Sequence, residues 1–223
     1  MASVDADPAC PGTGPDGQAE LVRRGYDALS YRYRADDAGP GRYGPWLERL
    51  LGLLPAAADV LDLGCGNGVP VARTLADAGH RVTGVDISGV QVGRAQELVP
   101  AATFIRADAT QAAFGNDSFD AVVSFYALIH LPVAAQPGLL QRAARWLRPG
   151  GWLVAVTGQD AWTGTADGWL GGTAPMQWSQ ADAATSRSWI TDAGLQVTDQ
   201  ETVPDGGSEH ALFWARRPAT GRA

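Results

Sequence analysis

The chain has 223 residues, of which 45% are apolar and eight are tryptophans. This length and composition predict a single globular domain with a full hydrophobic core. The formal net charge is −7 and lysine is absent, which disfavours binding to nucleic acid or to anionic membrane surfaces and favours a small-molecule partner.

The cysteine pattern and the N-terminal composition bear on location. Cys10 lies in a Pro/Gly-rich segment and Cys65 in a glycine-rich turn, so we expect no structural disulfide, and no Cys/His cluster has zinc spacing. The N-terminus lacks a basic segment followed by an apolar core, and the longest apolar stretch, residues 121–133, is too short to cross a bilayer. We therefore expect a cytoplasmic protein that needs no metal.

The predicted elements begin with two helices. Residues 1–17 are rich in Pro, Gly, Asp and Ala without periodicity and are predicted to be a disordered leader. Apolar residues at three- and four-residue spacing predict a helix over 19–34, and a proline in the first turn supports a second helix over 45–54. Residues 18–56 therefore form an N-terminal helical part of the chain.

Strands and helices alternate over the rest of the chain. Strands are predicted at 58–63, 82–86, 102–106, 119–125, 151–157, 195–203 and 208–216. Helices are predicted at 67–79, 88–98, 134–147 and 180–193. The alternation predicts an α/β Rossmann-like fold, with a seven-stranded, mostly parallel sheet, an antiparallel last strand and helices on both faces. Residues 57–158 and 159–217 are two parts of one domain over 18–217, followed by a tail at 218–223.

A glycine-rich turn, residues 64–68 (GCGNG), follows the first predicted strand and indicates a cofactor that contains adenosine. Asp86 ends the next strand, where a carboxylate suits a ribose diol. The turn lacks the G-x-G-x-x-G spacing of dinucleotide sites, and Asp62 before it would repel a pyrophosphate but attract an ammonium group. We therefore predict S-adenosylmethionine, whose amino group suits Asp62 and whose carboxylate suits the amides of the turn.

Several segments resemble the motifs of class I S-adenosylmethionine-dependent methyltransferases, in the small-molecule branch typified by ubiquinone- and menaquinone-biosynthesis enzymes. The segments are 61–68 (LDLGCGNG), 84–88 (GVDIS), 105–109 (IRADA), 118–122 (SFDAV) with 130–132 (HLP), 147–153 (LRPGGWL) and the lid pattern Tyr26-Asp27-x-x-Ser30-x-x-Tyr33. The resemblance covers about residues 20–217 and is most specific over 58–157.

The resemblance implies that residues 18–56 are N-terminal lid helices, 57–158 the cofactor-binding core and 159–217 the acceptor side. It also implies a cofactor site formed by the lid helix and the ends of the strands. The implied residues are Tyr33, Asp62, Gly64, Cys65, Gly66, Asp86, Ile87, Asp108, Ala109, Phe125 and His130. Among them Asp86 takes the ribose hydroxyls, Ile87 packs on adenine, and Asp108 with Ala109 holds the adenine edge. For Asp62 and Asp86, the alternative is a role in capping a helix or a turn.

Two histidines are candidate catalytic residues, as a general base or as an anchor for the acceptor. His130 follows the fourth predicted strand at the edge where ligands bind in this fold, and its alternative is to hold the loop before Pro132. His210 begins the last strand beside the acceptor pocket if the preceding strand, 195–203, runs parallel to the others. His80 lies away from that edge and is predicted to be a surface residue.

Aromatic residues indicate where the acceptor binds. The 158–178 connection is long for a compact domain, which favours a functional role. The predicted acceptor-binding residues are Tyr26, Tyr31, Tyr126, Trp162, Trp169, Met176, Trp178 and His210. They favour an apolar or aromatic small molecule.

The sequence as a whole predicts methyl transfer by in-line displacement to a small molecule of specialised or cofactor metabolism. Two alternatives stay open. One is a catalyst of rearrangement or cyclisation that binds S-adenosylmethionine without transferring its methyl group. The other is a nicotinamide-dependent reductase, although the absence of lysine removes the Tyr-x-x-x-Lys pair of short-chain dehydrogenases. We expect neither a nucleic-acid nor a membrane partner.

Overall fold

A computed structural model of the chain describes residues 15–219. Two helices precede the sheet, α1 (Pro15–Tyr33) and α2 (Gly44–Leu53), and a proline lies in the first turn of α2 as predicted. Helix α1 begins four residues earlier than predicted, so residues 15–17 are helical and do not belong to a disordered leader. The rest of that leader, and residues 220–223 of the tail, lie outside the described residues.

The remaining elements follow the predicted order, with one addition. The helices are α3 (Val71–Asp77), α4 (Gly89–Leu98), α5 (Gln136–Trp146) and α6 (Ala183–Asp192). The strands are β1 (Asp59–Leu63), β2 (Arg81–Asp86), β3 (Thr103–Arg106), β4 (Phe119–Ser124), β5 (Leu147–Gly158), β6 (Trp162–Ala166), β7 (Met176–Gln180), β8 (Gln196–Asp205) and β9 (Ser208–Arg216). The addition is β6 and β7, which form a separate antiparallel hairpin inside the predicted 158–178 connection.

The main sheet has seven strands in the order β3-β2-β1-β4-β5-β9-β8. Strands β1 to β5 pair in parallel, and β9 is antiparallel to both of its neighbours. This confirms the predicted fold class. The chain order reverses between β1 and β4, so the carboxyl ends of these strands border the crevice where this class of fold binds ligands.

The hydrophobic core lies on both faces of the sheet. Strand β9 shows this most simply, because Leu212 and Trp214 pack on one face and Ala211 and Phe213 on the other, all fully buried. This alternation is the period of two that a central strand requires. Helices α2 and α3 cover the first face and α5 and α6 the second. Over residues 15–219, no helix combines the length and the apolar character that crossing a bilayer requires.

Candidate active site

Two cavities open side by side at the carboxyl ends of the parallel strands. The inner cavity, between the glycine turn and α1, contains about 730 Å³ of empty space, counted out to open solvent. The outer cavity contains about 1980 Å³ by the same measure and reaches the β6–β7 hairpin and the β8–β9 turn. Tyr26, Tyr33, Tyr126 and His130 line both cavities and form the wall that they share.

The glycine turn forms the floor of the inner cavity. Gly64 has φ +76°, and a Cβ atom there would lie 2.2 Å from the Cβ of Ala127, so only glycine permits this approach of the two loops. The amides of Gly64 and Cys65 both donate to the carbonyl of Val85, at 2.7 and 3.1 Å, which ties the turn to β2.

The amide that follows is also occupied within the protein, because Gly66 N donates to Asp86 Oδ2 at 2.9 Å. Further along, Gly68 N donates to the Cys65 carbonyl at 3.0 Å, and Val69 N to Asn67 Oδ1 at 3.3 Å. Four of the five amides of the turn, those of residues 64, 65, 66 and 68, therefore already donate within the protein, so the expectation that the amides of the turn bind a ligand carboxylate is wrong for these four.

Asp86 is held rigidly at the end of β2. Its two carboxylate oxygens accept from the backbone amides of Gly66 and Ser88, each at 2.9 Å. Burial raises the pKa of Asp86 to about 6, although the hydrogen bonds from the amides oppose this effect. The carboxylate lines the inner cavity next to Ile87, where its unused lone pairs suit a pair of hydroxyl groups.

Asp62 is a buried carboxylate with an oxygen that accepts no hydrogen bond within residues 15–219. Its side chain is 2% exposed, and this oxygen is Oδ2. Burial raises the pKa of Asp62 to about 7, the nearby Asp86 carboxylate adds to this shift, and Arg34 opposes it. An unpaired buried carboxylate is costly, so a cation brought close to Asp62 would be stabilised. Asp62 itself is not among the residues that line the inner cavity.

The opposite end of the inner cavity is formed by Ile87, Asp108 and Ala109. Asp108 Oδ1 accepts from both Thr110 N, at 2.7 Å, and Thr110 Oγ1, at 2.8 Å. Asp108 therefore shapes the turn that follows β3. Both bonds use the same oxygen, so the second oxygen takes no part in the turn.

Helix α1 closes the inner cavity through polar contacts with the start of α4. Asp27 Oδ1 accepts from Ser88 Oγ at 2.6 Å and from Val90 N at 3.3 Å, while Ser88 Oγ caps α4 by accepting from Gln91 N. Ser30 Oγ donates to Gln91 Oε1 at 2.8 Å. Two residues of the lid pattern found in the sequence, Asp27 and Ser30, thus hold α1 against the start of α4.

Arg94 is a further anchor of the lid that the sequence analysis missed. Its side chain is 5% exposed, and its guanidinium donates to Ser30 Oγ and to the Arg34 carbonyl, both at 2.7 Å, and to Asp36 Oδ1. These partners lie 58 to 64 residues away in sequence, so no local pattern could reveal them.

His130 has both ring nitrogens in hydrogen bonds. Nδ1 lies 2.7 Å from the carbonyl oxygen of Gln177, and Nε2 lies 2.9 Å from the hydroxyl oxygen of Tyr26. A carbonyl oxygen can only accept, so Nδ1 carries the proton and Nε2 accepts from Tyr26. Burial lowers the pKa of His130 to about 4, which keeps the ring neutral at physiological pH.

The outer cavity is bordered on one side by aromatic rings in mutual contact. Trp178 lies 5.5 Å from His130 and 5.4 Å from Trp169 between ring centroids, and Trp169 lies 5.8 Å from both Tyr26 and Tyr33. Such a surface suits a flat apolar ligand.

The other end of the outer cavity is polar. Arg42 donates to Tyr126 Oη at 3.0 Å and forms a 2.7 Å ion pair with Asp205 Oδ1. His210 Nε2 lies 3.8 Å from Asp205 Oδ2, and the His210 ring meets Tyr126 edge-on at 5.1 Å. Burial lowers the pKa of His210, and Asp205 opposes that shift. Strand β8 does run parallel to β5, as the prediction for His210 required.

Comparisons with known proteins agree with this geometry. The family model described as a methyltransferase domain matches residues 60–151, which carry the glycine turn, Asp86 and His130. Residues 60–151 thus match a methyltransferase domain, and the chain is similar to class I S-adenosylmethionine-dependent methyltransferases.

Three curated methyltransferases are similar to part of this chain. The chain is 40% identical over 115 residues to 27-O-demethylrifamycin SV methyltransferase of Amycolatopsis mediterranei, covering 48% of this chain and 42% of that protein. It is 41% identical over 109 residues to 2-methyl-6-phytyl-1,4-hydroquinone methyltransferase of Synechocystis sp., covering 48% and 34%. It is 33% identical over 138 residues to the ubiquinone biosynthesis O-methyltransferase of Aromatoleum aromaticum, covering 60% and 56%. The chain thus spans less than two thirds of the length of each relative.

Solved structures share the methyltransferase fold over nearly the whole chain. The 1,6-didemethyltoxoflavin-N1-methyltransferase of Burkholderia thailandensis, solved with 1,6-didemethyltoxoflavin and S-adenosylhomocysteine, has a TM-score of 0.70 at 24% identity and covers 97% of this chain and 94% of its own. The 4+2 cyclase SpnF has a TM-score of 0.69 at 19% identity and covers 91% and 97%. At these identities the likeness shows the fold alone.

Most of the predicted site residues line one of the two cavities, but four do not. The residues that line one or both cavities are Tyr26, Tyr33, Gly64, Gly66, Asp86, Ile87, Asp108, Ala109, Phe125, Tyr126, His130, Trp162, Trp169, Trp178 and His210. Besides Asp62, the Cys65 side chain lies in the hydrophobic core, where a Cβ on Gly84 would meet its sulfur at 2.8 Å. Only the backbone of Cys65 therefore contributes to the turn.

Tyr31 and Met176 are the two predicted acceptor residues that the structure places elsewhere. Tyr31 is 67% exposed, and its ring covers the guanidinium of Arg94 at 4.0 Å on the outside of the lid. Met176 is fully buried against α1, where a Cβ on Gly25 would lie 2.7 Å from its methyl group. Neither residue lines the inner or the outer cavity.

Proposed function

We propose that this chain transfers a methyl group from S-adenosylmethionine to a small, flat, apolar or aromatic molecule of specialised or cofactor metabolism. The observation that carries the proposal is the pair of adjoining cavities. One contains a glycine turn and rigid carboxylates, the other is bordered by aromatic rings, and four residues separate them. The curated relatives reported above, all of them named methyltransferases, support the same reaction.

The inner cavity fits the parts of S-adenosylmethionine. Asp86 would accept hydrogen bonds from the ribose hydroxyls, and Ile87, Asp108 and Ala109 would border the adenine ring. Asp62, with its orphaned buried oxygen, would stabilise the ammonium group at close range.

The cofactor's carboxylate needs a partner other than the occupied amides of the glycine turn. Arg34 is the residue that we propose. Its guanidinium is half-buried beside the shared wall, donates to Tyr43 Oη at 3.1 Å and has no carboxylate partner among the described residues. Its opposing effect on the pKa of Asp62 supports this proposal, and Arg34 lines the outer cavity next to Tyr33 of the shared wall.

The protein's own contribution is mainly alignment. When bound, S-adenosylmethionine supplies a methyl group that its positive sulfonium has already activated. Tyr26, Tyr33 and Tyr126 would orient the two ligands across the shared wall and exclude water from it. Fixing reactants in this way contributes roughly 7–11 kcal/mol to lowering a barrier.

The test is a direct measurement of binding and turnover. S-adenosylhomocysteine is titrated into the protein by calorimetry, and methyl-labelled S-adenosylmethionine is then incubated with a panel of phenols, hydroquinones and matched anilines. We expect tight binding, a labelled product and S-adenosylhomocysteine in equal amounts. Binding of NADH without affinity for S-adenosylhomocysteine would overturn the proposal in favour of a reductase.

The same measurement separates methyl transfer from cyclisation. The likeness to a 4+2 cyclase shows that this fold accommodates both kinds of protein, so the fold does not decide between them. Conversion of an added substrate without release of S-adenosylhomocysteine would favour the cyclase alternative. We also propose that the chain works in the cytoplasm on a free small molecule, which its charge of −7 supports by disfavouring anionic polymers and membrane surfaces.

A further inference from the structure

The Tyr26–His130 pair lies in the wall between the two cavities and is arranged to move a proton. We propose that the Tyr26 hydroxyl, backed by His130, takes the proton of a hydroxyl-bearing acceptor, so that the outer cavity selects a phenol or enol over an amine or thioether. This inference rests on the proposed function and adds to it the class of acceptor atom.

The direction of the hydrogen bonds carries the argument. His130 Nδ1 donates to the Gln177 carbonyl at 2.7 Å, which leaves Nε2 with a lone pair and no proton. The Tyr26 proton is therefore directed to His130 Nε2, 2.9 Å away. The oxygen of Tyr26, which also lies within hydrogen-bonding reach of Tyr33, keeps a lone pair that can accept from a hydroxyl group in the outer cavity, which Tyr26 lines.

Tyr26 is the member of the pair that can touch the acceptor. Its hydroxyl covers Nε2 of His130, so the imidazole has no free basic nitrogen to offer. The two rings meet edge to face at 5.3 Å and 88°, and Trp169 and Tyr33 hold Tyr26 from its other sides. Tyr26 is thus the proposed catalytic residue, and His130 is a positioning residue that also receives the proton.

The electrostatic surroundings keep the pair neutral until a proton arrives. Burial raises the pKa of Tyr26, with Tyr33, Asp86 and Tyr43 adding to the shift, and burial lowers the pKa of His130, with His210 adding to it. No carboxylate within residues 15–219 hydrogen-bonds to either side chain. At neutral pH the tyrosine is therefore a phenol and the histidine a free base.

The site itself supplies an acceptor for every proton and electron pair that moves in the proposed reaction. As the acceptor oxygen forms a bond to the methyl carbon, the carbon–sulfur bond breaks and its electron pair stays on sulfur. The acceptor's proton passes to Tyr26 Oη while the Tyr26 proton passes to His130 Nε2. The positive charge lost at the sulfonium reappears on the imidazolium, which releases its proton to water when the products leave.

This relay favours acceptors that must lose a proton as they attack. A thioether carries no such proton, and a free amine attacks through a lone pair and can lose its proton to water afterwards. A neutral hydroxyl is a weak nucleophile, and a positioned base accelerates its reaction by roughly 10²–10⁴.

The first test needs no acceptor. The chain contains three histidines, so nitrogen-15 labelling of histidine gives three imidazole spectra, and His130→Gln assigns the one that matters. His80 is a built-in reference, because its Nδ1 accepts from Ala58 N at 3.1 Å and its proton must lie on Nε2. We expect His130 to show the opposite tautomer, with a protonated Nδ1. A protonated Nε2 on His130 would overturn the proposal.

The second test compares acceptors that do and do not need the base. With phenol, Tyr26→Phe should lower kcat by roughly 10²–10⁴. With 4-nitrophenol in mildly alkaline buffer, which enters already ionised, the loss should shrink to a few-fold. His130→Gln should show the same pattern. Tyr31→Phe is the matched control, because Tyr31 lies on the same helix outside both cavities and should behave as the parent chain.

The outcomes distinguish the relay from the proposed function. Equal rates for Tyr26→Phe and the parent chain on phenol, or equal losses on both acceptors, would refute the relay. Methylation of anilines or thioethers with no hydroxyl compound accepted would also refute it. Failure to bind S-adenosylhomocysteine would instead refute the proposed function, and the tautomer measurement would still report on the pair.

Discussion

The inner and outer cavities share four residues but are built in different ways. The inner cavity contains the glycine turn and two carboxylates that accept from backbone amides, Asp86 and Asp108, at the ends of strands whose register the sheet fixes. The outer cavity is bordered by side-chain rings and by a hairpin outside the main sheet. With the cofactor in the inner cavity and the acceptor in the outer one, as proposed, the two ligands are recognised by separable parts of the molecule. Mutations in one part should therefore leave binding at the other nearly unchanged.

The largest effect is expected at Gly64. In Gly64→Ala the new methyl group would lie 2.2 Å from Ala127 Cβ at a φ of +76°, so the floor of the inner cavity must distort. We expect affinity for S-adenosylhomocysteine to fall by about 100-fold or more, equivalent to about 3 kcal/mol. Calorimetry measures the dissociation constant of S-adenosylhomocysteine. Gly79→Ala is the control, because it has a similar φ of +85° with open space around it and should cost only about 1 kcal/mol of unfolding free energy, with binding unchanged.

The next effect is expected at Asp86. Asp86→Ala removes the proposed acceptor for the ribose hydroxyls and also the partner of two backbone amides. Affinity for S-adenosylhomocysteine should fall by roughly ten- to a hundredfold, because hydrogen bonds to a charged group contribute about 1.5–3 kcal/mol. An unchanged dissociation constant in calorimetry would contradict the assignment of Asp86.

A pH-dependent effect of about tenfold is expected from Asp62. With the pKa of Asp62 at about 7 in the free protein, a bound ammonium group favours the ionised carboxylate, so binding releases a proton at and below neutral pH. The dissociation constant should therefore rise roughly tenfold as the pH falls from about 8 to about 6. Asp62→Asn should bind more weakly at the higher pH and lose most of this dependence. A smaller part remains because the pKa of Asp86 is also raised.

Proton release offers a check on the Asp62 assignment that does not depend on affinity. Calorimetric enthalpies of S-adenosylhomocysteine binding near neutral pH should differ between buffers of different ionisation enthalpy. That difference should shrink in Asp62→Asn. Equal proton release by Asp62→Asn and the parent chain would contradict the role of Asp62.

The smallest effect is expected in the outer cavity. Trp178→Ala removes one ring from the aromatic border and should raise KM for the best phenol of the panel roughly two- to tenfold, as expected for an aromatic contact of about 0.5–1.5 kcal/mol. Trp178→Phe should lie between Trp178→Ala and the parent chain. Affinity for S-adenosylhomocysteine should stay within about twofold in both variants, and a parallel loss would show that the cavities are not separable.

The inner cavity was predictable from sequence because its signals are local. The glycine turn, Asp86 and Asp108 each follow directly from a strand whose apolar run is visible, and parallel strands bring such turns to one edge. The sequence cannot show which backbone amides already donate hydrogen bonds within the protein. The amides of residues 64–66 were expected to bind a ligand, yet Val85 and Asp86 occupy them.

The outer cavity was predictable only in its composition. Tyr26 and Tyr33 are seven residues apart, two helical turns, and share a face, whereas Tyr31 lies about 140° away from Tyr26 around the helix. Met176 lies in the same strand as Trp178 but two residues earlier, where α1 covers it at Gly25. The short β6 and β7 strands are separated by a nine-residue loop, and their pairing depends on contacts that no local pattern contains.

The β6–β7 hairpin has a consequence for how this molecule changes over evolutionary time. Its ladder pairs only with itself, so insertions or substitutions in it do not alter the register of the seven-stranded sheet. Trp162, Trp169 and Trp178 all lie in the hairpin or in its loop. Replacing this hairpin with one of different length or composition is therefore the simplest way to change the range of acceptors. The glycine turn, Asp86 and Asp108, which we propose bind the cofactor, would keep their positions in the main sheet.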